Sequence, residues 1–157
     1  MAGEFGHITI DEQGPPCPCG KRGCWEQYAS NSAAVRYFTG DWPDSSRPVA
    51  RSAFQEILRL AENGHGRALE ALDRMAHFLG RGLASLMTGL APEVIVIVGE
   101  VTCAWNRAGP LVTDEARRLS LHHARTRVVP TDPATQPRLR GAVTLVVQQH
   151  FGAPTVA

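Results

Sequence analysis

The chain has 157 residues, 43% apolar and 20% charged, with a formal net charge of +1. That is about one domain, with enough apolar mass to bury a core. The charge balance excludes a dominant nucleic-acid footprint, which needs clustered Lys and Arg, and no run approaches the ~18 apolar residues of a transmembrane helix.

Glu4 to Glu12 alternates loosely, with Ile8 and Ile10 set against Thr9 and Asp11, and predicts a short strand. Gln13 to Gly23 holds three prolines and three glycines and reads as a loop. From Cys24 the pattern turns helical, with Trp25, Tyr28, Ala29, Ser32, Val35 and Phe38 on one side, until Gly40–Pro48 breaks it. Ala50–Ala61 predicts a short helix with Phe54, Ile57 and Leu58 on its apolar face, ended by Asn63-Gly64. Leu69 to Leu90 predicts a long helix with an apolar stripe, suited to core or to a dimer face, and Pro92 stops it. Val94–Val98 reads VIVIV, a strand expected to be buried on both faces, and Gly99 allows a sharp turn at its end. Leu111–Leu121 predicts a helix, Thr126–Val129 a second strand, Asp132–Pro137 a loop and Arg140–Phe151 a closing helix. Strands alternating with helices give an α/β class.

The first twenty-six residues carry the chemistry. His7, Cys17, Cys19 and Cys24 fall within eighteen residues and suit a tetrahedral Zn²⁺ site. The three clustered cysteines are spaced too tightly to pair readily with one another, and Cys103 stands apart. The N-terminus lacks a basic segment followed by an apolar one, so no signal peptide is read and the chain is assigned to the cytoplasm. There, clustered cysteines are more often metal ligands than disulfides, with reduced, unliganded thiols as the alternative. Four protein ligands leave no position open for water, so the ion is read as structural. Gly20 and Gly23 let the chain fold back tightly, and Pro18 restricts the loop further.

Glu4-Phe5-Gly6-His7 followed by CPCGKRGCWE resembles the ROK family, named for repressors, open reading frames and kinases. The marks are an E-x-G-H stretch and a C-x-C-G-x-x-G-C-x-E signature, both matched at the family's spacing. The resemblance implies the two-lobed actin-like ATPase, ribonuclease-H-like fold. This chain would be one C-terminal lobe over 1–157, an α/β unit with a zinc-knuckle loop. Its parts would be a zinc and sugar segment (4–26), a helical segment (24–90) and an α/β segment (91–151). The resemblance also implies that Glu4, His7 and Glu26 face a hexose or hexose derivative, with His7 shared between sugar and zinc, and that the protein pairs as a homodimer. Independently of the family, hexose recognition needs short, strong acceptors for hydroxyls, which carboxylates supply. A metal-locked loop would also hold them in place before the sugar arrives. The bland alternative for Glu4 and Glu26 is a solvated surface carboxylate.

The family's Asp-x-Gly-x-Thr phosphate stretch and Asn-Asp pair are not found, so the N-terminal lobe is read as absent and the chain as a C-terminal half without kinase activity of its own. Family kinases usually carry Gly-Gly after the strand equivalent to Val94–Val98, where the backbone approaches the nucleotide. Here Gly99 is followed by Glu100, which either brings negative charge towards the ATP phosphates or points to solvent. Gly99 is kept as a nucleotide-site candidate. The reading that follows is the sugar-sensing part of a ROK transcriptional regulator, touching DNA only through an absent N-terminal domain. The alternative is the C-terminal half of an ATP-dependent sugar kinase, with ATP and Mg²⁺ as cofactors. A third class, a zinc knuckle touching nucleic acid through Lys21 and Arg22, has too few cations nearby. Cys103 is expected to be a packed thiol, His77 to lie at the surface or an interface, and His122-His123 to form a helix terminus. Trp25 is expected to pack over the knuckle; Trp42 and Trp105 read as loop aromatics.

Overall fold

The computed structural model describes residues 3–41, 50–120, 126–132, 134 and 141–146. Trp42, His122 and His123, and parts of the 40–48 break, the 132–137 loop and the closing helix lie outside the described residues. Among the described residues the named elements follow in order: α1 (Glu26–Ala29), α2 (Asn31–Thr39), α3 (Arg51–Glu62), α4 (Gly66–Leu90), β1 (Val94–Ile97), α5 (Trp105–Leu119) and β2 (Arg127–Pro130). Two 3-10 turns, Phe5–His7 and Glu100–Ala104, complete them. Residues 141–146 are helical and exposed. Among the described residues no helix is long and apolar enough to cross a membrane.

The organising element is α4, twenty-five residues long, or about 37 Å at 1.5 Å per residue. One half of it packs Leu72 and Met75 against Phe54, Ile57 and Ala34 of α3 and α2. The other half packs Leu83 and Met87 against Trp25, Ile97 and Val112. Two glycines fit α4 to its neighbours although each costs about 1 kcal/mol relative to Ala in a helix interior. At Gly80 an added Cβ would meet the Val112 carbonyl and the Glu115 side chain of α5. At Gly82 it would fall inside the Trp25 indole, whose Nε1–H donates to the Phe78 carbonyl at 2.8 Å. Trp25 therefore docks into α4 instead of covering the knuckle.

β1 and β2 pair in parallel, Val94 with Arg127 through Ile97 with Pro130. Burial of β1 on both faces is not found. Ile95 and Ile97 face the core, whereas Val94, Val96 and Val98 are exposed. An apolar run is buried on both faces only where layers cover both, and among the described residues helices cover one. The expected strand over Glu4–Glu12 is instead the Phe5–His7 turn followed by a single antiparallel bridge, Thr9 with Cys24. The fifth helix begins at Trp105, six residues earlier than expected, with Pro110 inside it. Trp105 is therefore helical and packs against the core, and a Cβ at Gly109 would strike its ring. Cys103 is exposed, not packed.

Glu115 of α5 sits against α4, buried, with Arg118 donating from Nε (2.8 Å) and Nη2 (2.7 Å) and His77 Nε2 at 3.4 Å. Arg118 holds the Glu115 carboxyl below its ordinary value, with the nearby His77 and Arg81 charges helping. A depressed carboxyl stabilises the fold above its unfolded value, and that stability is lost as pH falls through the lower folded value. Glu115→Gln should flatten the loss of stability below about pH 4.3, read by urea denaturation between pH 3 and pH 6. Gly82→Ala should destabilise the fold by about 3 kcal/mol by overpacking Trp25, lowering Tm by roughly 10 °C.

Candidate functional site

The N-terminal loop is a small hairpin built from backbone bonds. Ile10 N–H donates to Gly23 O (2.9 Å) and Trp25 N–H to Ile8 O (2.8 Å), so residues 8–10 and 23–25 run antiparallel. Further out, Gly23 N–H donates to Pro15 O and Cys17 N–H to Lys21 O, both at 2.8 Å, across the Pro16–Arg22 bridge. Gly23 has φ +62°, and a Cβ there would collide with the Asp11 carbonyl, so only glycine closes this hairpin. The Tyr28 hydroxyl donates to Asp11 Oδ2 at 2.9 Å and ties the hairpin to α1. Burial and that carboxylate push the Tyr28 hydroxyl up to about 12, so it stays protonated at neutral pH.

This hairpin folds Cys17, Cys19 and Cys24 against His7. One donor atom from each of the four lies within 4.8 Å of the others. Cys19 and Cys24 sulfurs are 3.5 Å apart, and His7 Nδ1 is 3.6 Å from Cys17 Sγ. A tetrahedral ion with Zn–S near 2.3 Å and Zn–N near 2.0 Å separates its ligand atoms by about 3.6–3.8 Å. The donor set therefore fits Zn²⁺ in both chemistry and spacing. Without a cation the thiols are pulled apart in acidity. Burial pushes Cys17 up to about 12, and its hydrogen bond to Glu26 adds to the rise. Burial also raises Cys24, whereas Cys19 is lowered by the Lys21 backbone N–H and, less, by the Lys21 charge. A divalent cation would lower all of them, because a coordinating thiol gives up its proton.

Both candidate sugar carboxylates converge on His7. Glu4 Oε2 lies 3.8 Å from Nε2, and Glu26 Oε1 lies 3.5 Å from Nδ1. The two nitrogens are thus differentiated: Nδ1 faces the cysteines, Nε2 faces Glu4. Glu4 is more than half exposed and Glu26 more than a third, so both can reach a solute. Glu26 Oε1 also accepts from the Cys17 thiol at 3.1 Å and from Gln27 Nε2 at 3.3 Å. Lys21 does not project from the tip as a phosphate contact would. Its Nζ folds back onto the His7 carbonyl at 2.8 Å.

Gly99 ends β1 with φ 122° and ψ −176°, a conformation open to glycine alone. Glu100 does not point to solvent. Its Oε1 accepts from Arg51 Nε (2.8 Å) and Gln55 Nε2 (3.1 Å), and its Oε2 from Asn31 Nδ2 (2.8 Å). The carboxylate is a compensated clasp joining the strand end to α2 and α3. Sequence reading missed these partners, and it missed Gln27 and Arg36. The available signal was a glutamine and an arginine placed among the apolar residues of two short helices.

A family model described as "ROK family" matches residues 1–149. The xylose repressor of Bacillus subtilis (strain 168) is 34% identical over 97 residues, covering 62% of this chain and 23% of the repressor. A glucokinase of Halalkalibacterium halodurans is 36% identical over 113 residues, covering 66% of this chain and 34% of the kinase. A ROK family glucokinase from Streptomyces griseus, solved in complex with glucose and AMPPNP, superposes with TM-score 0.75 at 27% identity, covering 92% of this chain and 51% of that one. The chain thus spans between a quarter and a half of the length of these relatives. With the family model covering nearly its whole length, and regulators and glucokinases both among its relatives, this chain belongs to the ROK family.

Proposed function

We propose that this chain is the zinc-bearing, sugar-sensing C-terminal part of a ROK-family transcriptional regulator. The observation that carries the reading is the convergence of Glu4 and Glu26 on His7 beside the four-donor cluster. Zn²⁺, held by His7, Cys17, Cys19 and Cys24, would supply rigidity and charge at a closed site. Glu4 and Glu26 accept hydrogen bonds from hexose hydroxyls, and His7 Nε2 offers a third polar contact on the solvent side. The hairpin fixes their spacing in advance, so little ordering entropy opposes the sugar. Sugar binding then biases the arrangement of this lobe against the rest of a longer, homodimeric protein, whose DNA contacts lie in another domain.

Glu100 favours the regulator over the kinase. Where a bare glycine would let backbone approach phosphates, a side chain is committed to Asn31, Arg51 and Gln55. The kinase reading rests on Gly99, which keeps a glycine-only turn at the strand end, and on the glucokinase relatives. Binding of a fluorescent ATP analogue separates the two: no saturable binding is expected, and micromolar binding would favour the kinase.

Cys19→Ser should lower zinc below one ion per chain, measured by plasma emission after dialysis, and reduce Tm. Unchanged zinc content would remove Cys19 from the ligand set. Glu26→Gln should weaken glucose binding by about 10- to 100-fold, as expected for losing a charge-assisted hydrogen bond of about 1.5–3 kcal/mol. Calorimetry measures this, and an unchanged affinity would take Glu26 out of the site.

A further inference from the structure

Gln27 follows Glu26 on α1 and is buried, with 5% of its surface exposed. Its Nε2 donates to Glu26 Oε1 at 3.3 Å, while its own Oε1 is buried with no hydrogen-bond partner among the described residues. Turning the amide over would aim its carbonyl oxygen at the carboxylate, so the orientation is set by Glu26. A glutamine present only for packing would not leave a buried acceptor unpaired, because an apolar side chain of the same shape avoids that cost. The donor directed at Glu26 is therefore what this side chain contributes.

The peptide carrying Gln27 is fixed from below. Arg36 of α2, also 5% exposed, donates from Nη2 to the Gln27 carbonyl at 2.6 Å. Burial disfavours the Arg36 charge, and the Glu26 carboxylate is among the charges that offset it. A buried guanidinium is costly to strand, so its field and its hydrogen bond hold α1 and α2 in one relation. Gln27 and Arg36 thus lie behind a carboxylate whose front is open to solvent.

We propose that Gln27 is a positioning residue for Glu26, with Arg36 fixing the peptide that carries it, so that the carboxylate meets a hexose hydroxyl in one orientation. This rests on the sugar-site reading above and goes beyond it, because neither residue touches the sugar. A pre-oriented acceptor discriminates between hydroxyl epimers, whereas a freely rotating one accepts from either.

The test uses the zinc-loaded full chain, with D-glucose, D-galactose and D-mannose as calorimetric probes and zinc content and Tm read in parallel. Gln27→Met keeps side-chain volume and removes the donor. It should weaken binding of the preferred probe at least tenfold and narrow its margin over the other two, with one zinc per chain retained. Arg36→Lys, which keeps the charge, should stay within about threefold of the parent, and Arg36→Met should lose at least tenfold. Unchanged affinity and margin in Gln27→Met, alongside the loss in Glu26→Gln, would overturn the positioning role and leave the sugar site standing. If the parent chain binds none of the three probes, the sugar-site reading and this proposal both fall. An equal loss for all three probes would also overturn the proposal, since that is what general loosening of α1 produces.

Discussion

Docking of the Trp25 indole into the notch at Gly82 is the contact on which the rest depends. Trp25 sits between the last cysteine of the cluster and the first carboxylate of α1. Wherever the indole goes, Cys24 and Glu26 go with it. Its ring fills space that any Cβ on Gly82 would take, and its N–H is satisfied by the Phe78 carbonyl. A hairpin of loop residues with little core of its own is thereby attached to the longest and best-packed helix. Loop geometry acquires the rigidity of a helix, which a preorganised site requires.

From that anchor two polar systems spread in opposite directions. One runs outward through the hairpin to His7, the three cysteines and the two carboxylates. The other lies inward on α1 and α2, where Gln27 meets Glu26 and Arg36 holds the Gln27 carbonyl, with Asn31 separately bound to the Glu100 clasp at the end of β1. Asn31 lies five residues after Glu26, so strand end and hairpin are joined through two short helices.

The apolar outer face of β1 belongs in the same picture. Val94, Val96 and Val98 are exposed, as is Leu90, at 60%. Contiguous exposed apolar surface of this kind is the chemistry of an interaction surface. The relatives are two to four times longer than this chain's share of them.

Much of the candidate site was legible in the sequence, because ligand chemistry is local. The spacing of His7, Cys17, Cys19 and Cys24 names a tetrahedral donor set, and a short hairpin suffices to assemble it. The helices were legible for the same reason: an apolar stripe with a 3.6-residue period has one simple means of burial, as the long α4 shows. What lay beyond sequence reasoning depended on partners distant along the chain. Whether β1 is covered on one face or two is set by which layers exist, not by the VIVIV run. The sequence neighbour of Trp25 is Cys24, which suggests packing over the knuckle, yet its partner is Gly82, fifty-seven positions away. The partners of Glu100 lie 45 to 69 positions upstream, beyond the reach of any local pattern. Sequence alone determined which groups could bind a metal and accept a hydroxyl. Only the tertiary structure decided which side chains stand behind them, because burial of a polar group is a property of the packed layers and leaves no periodic trace.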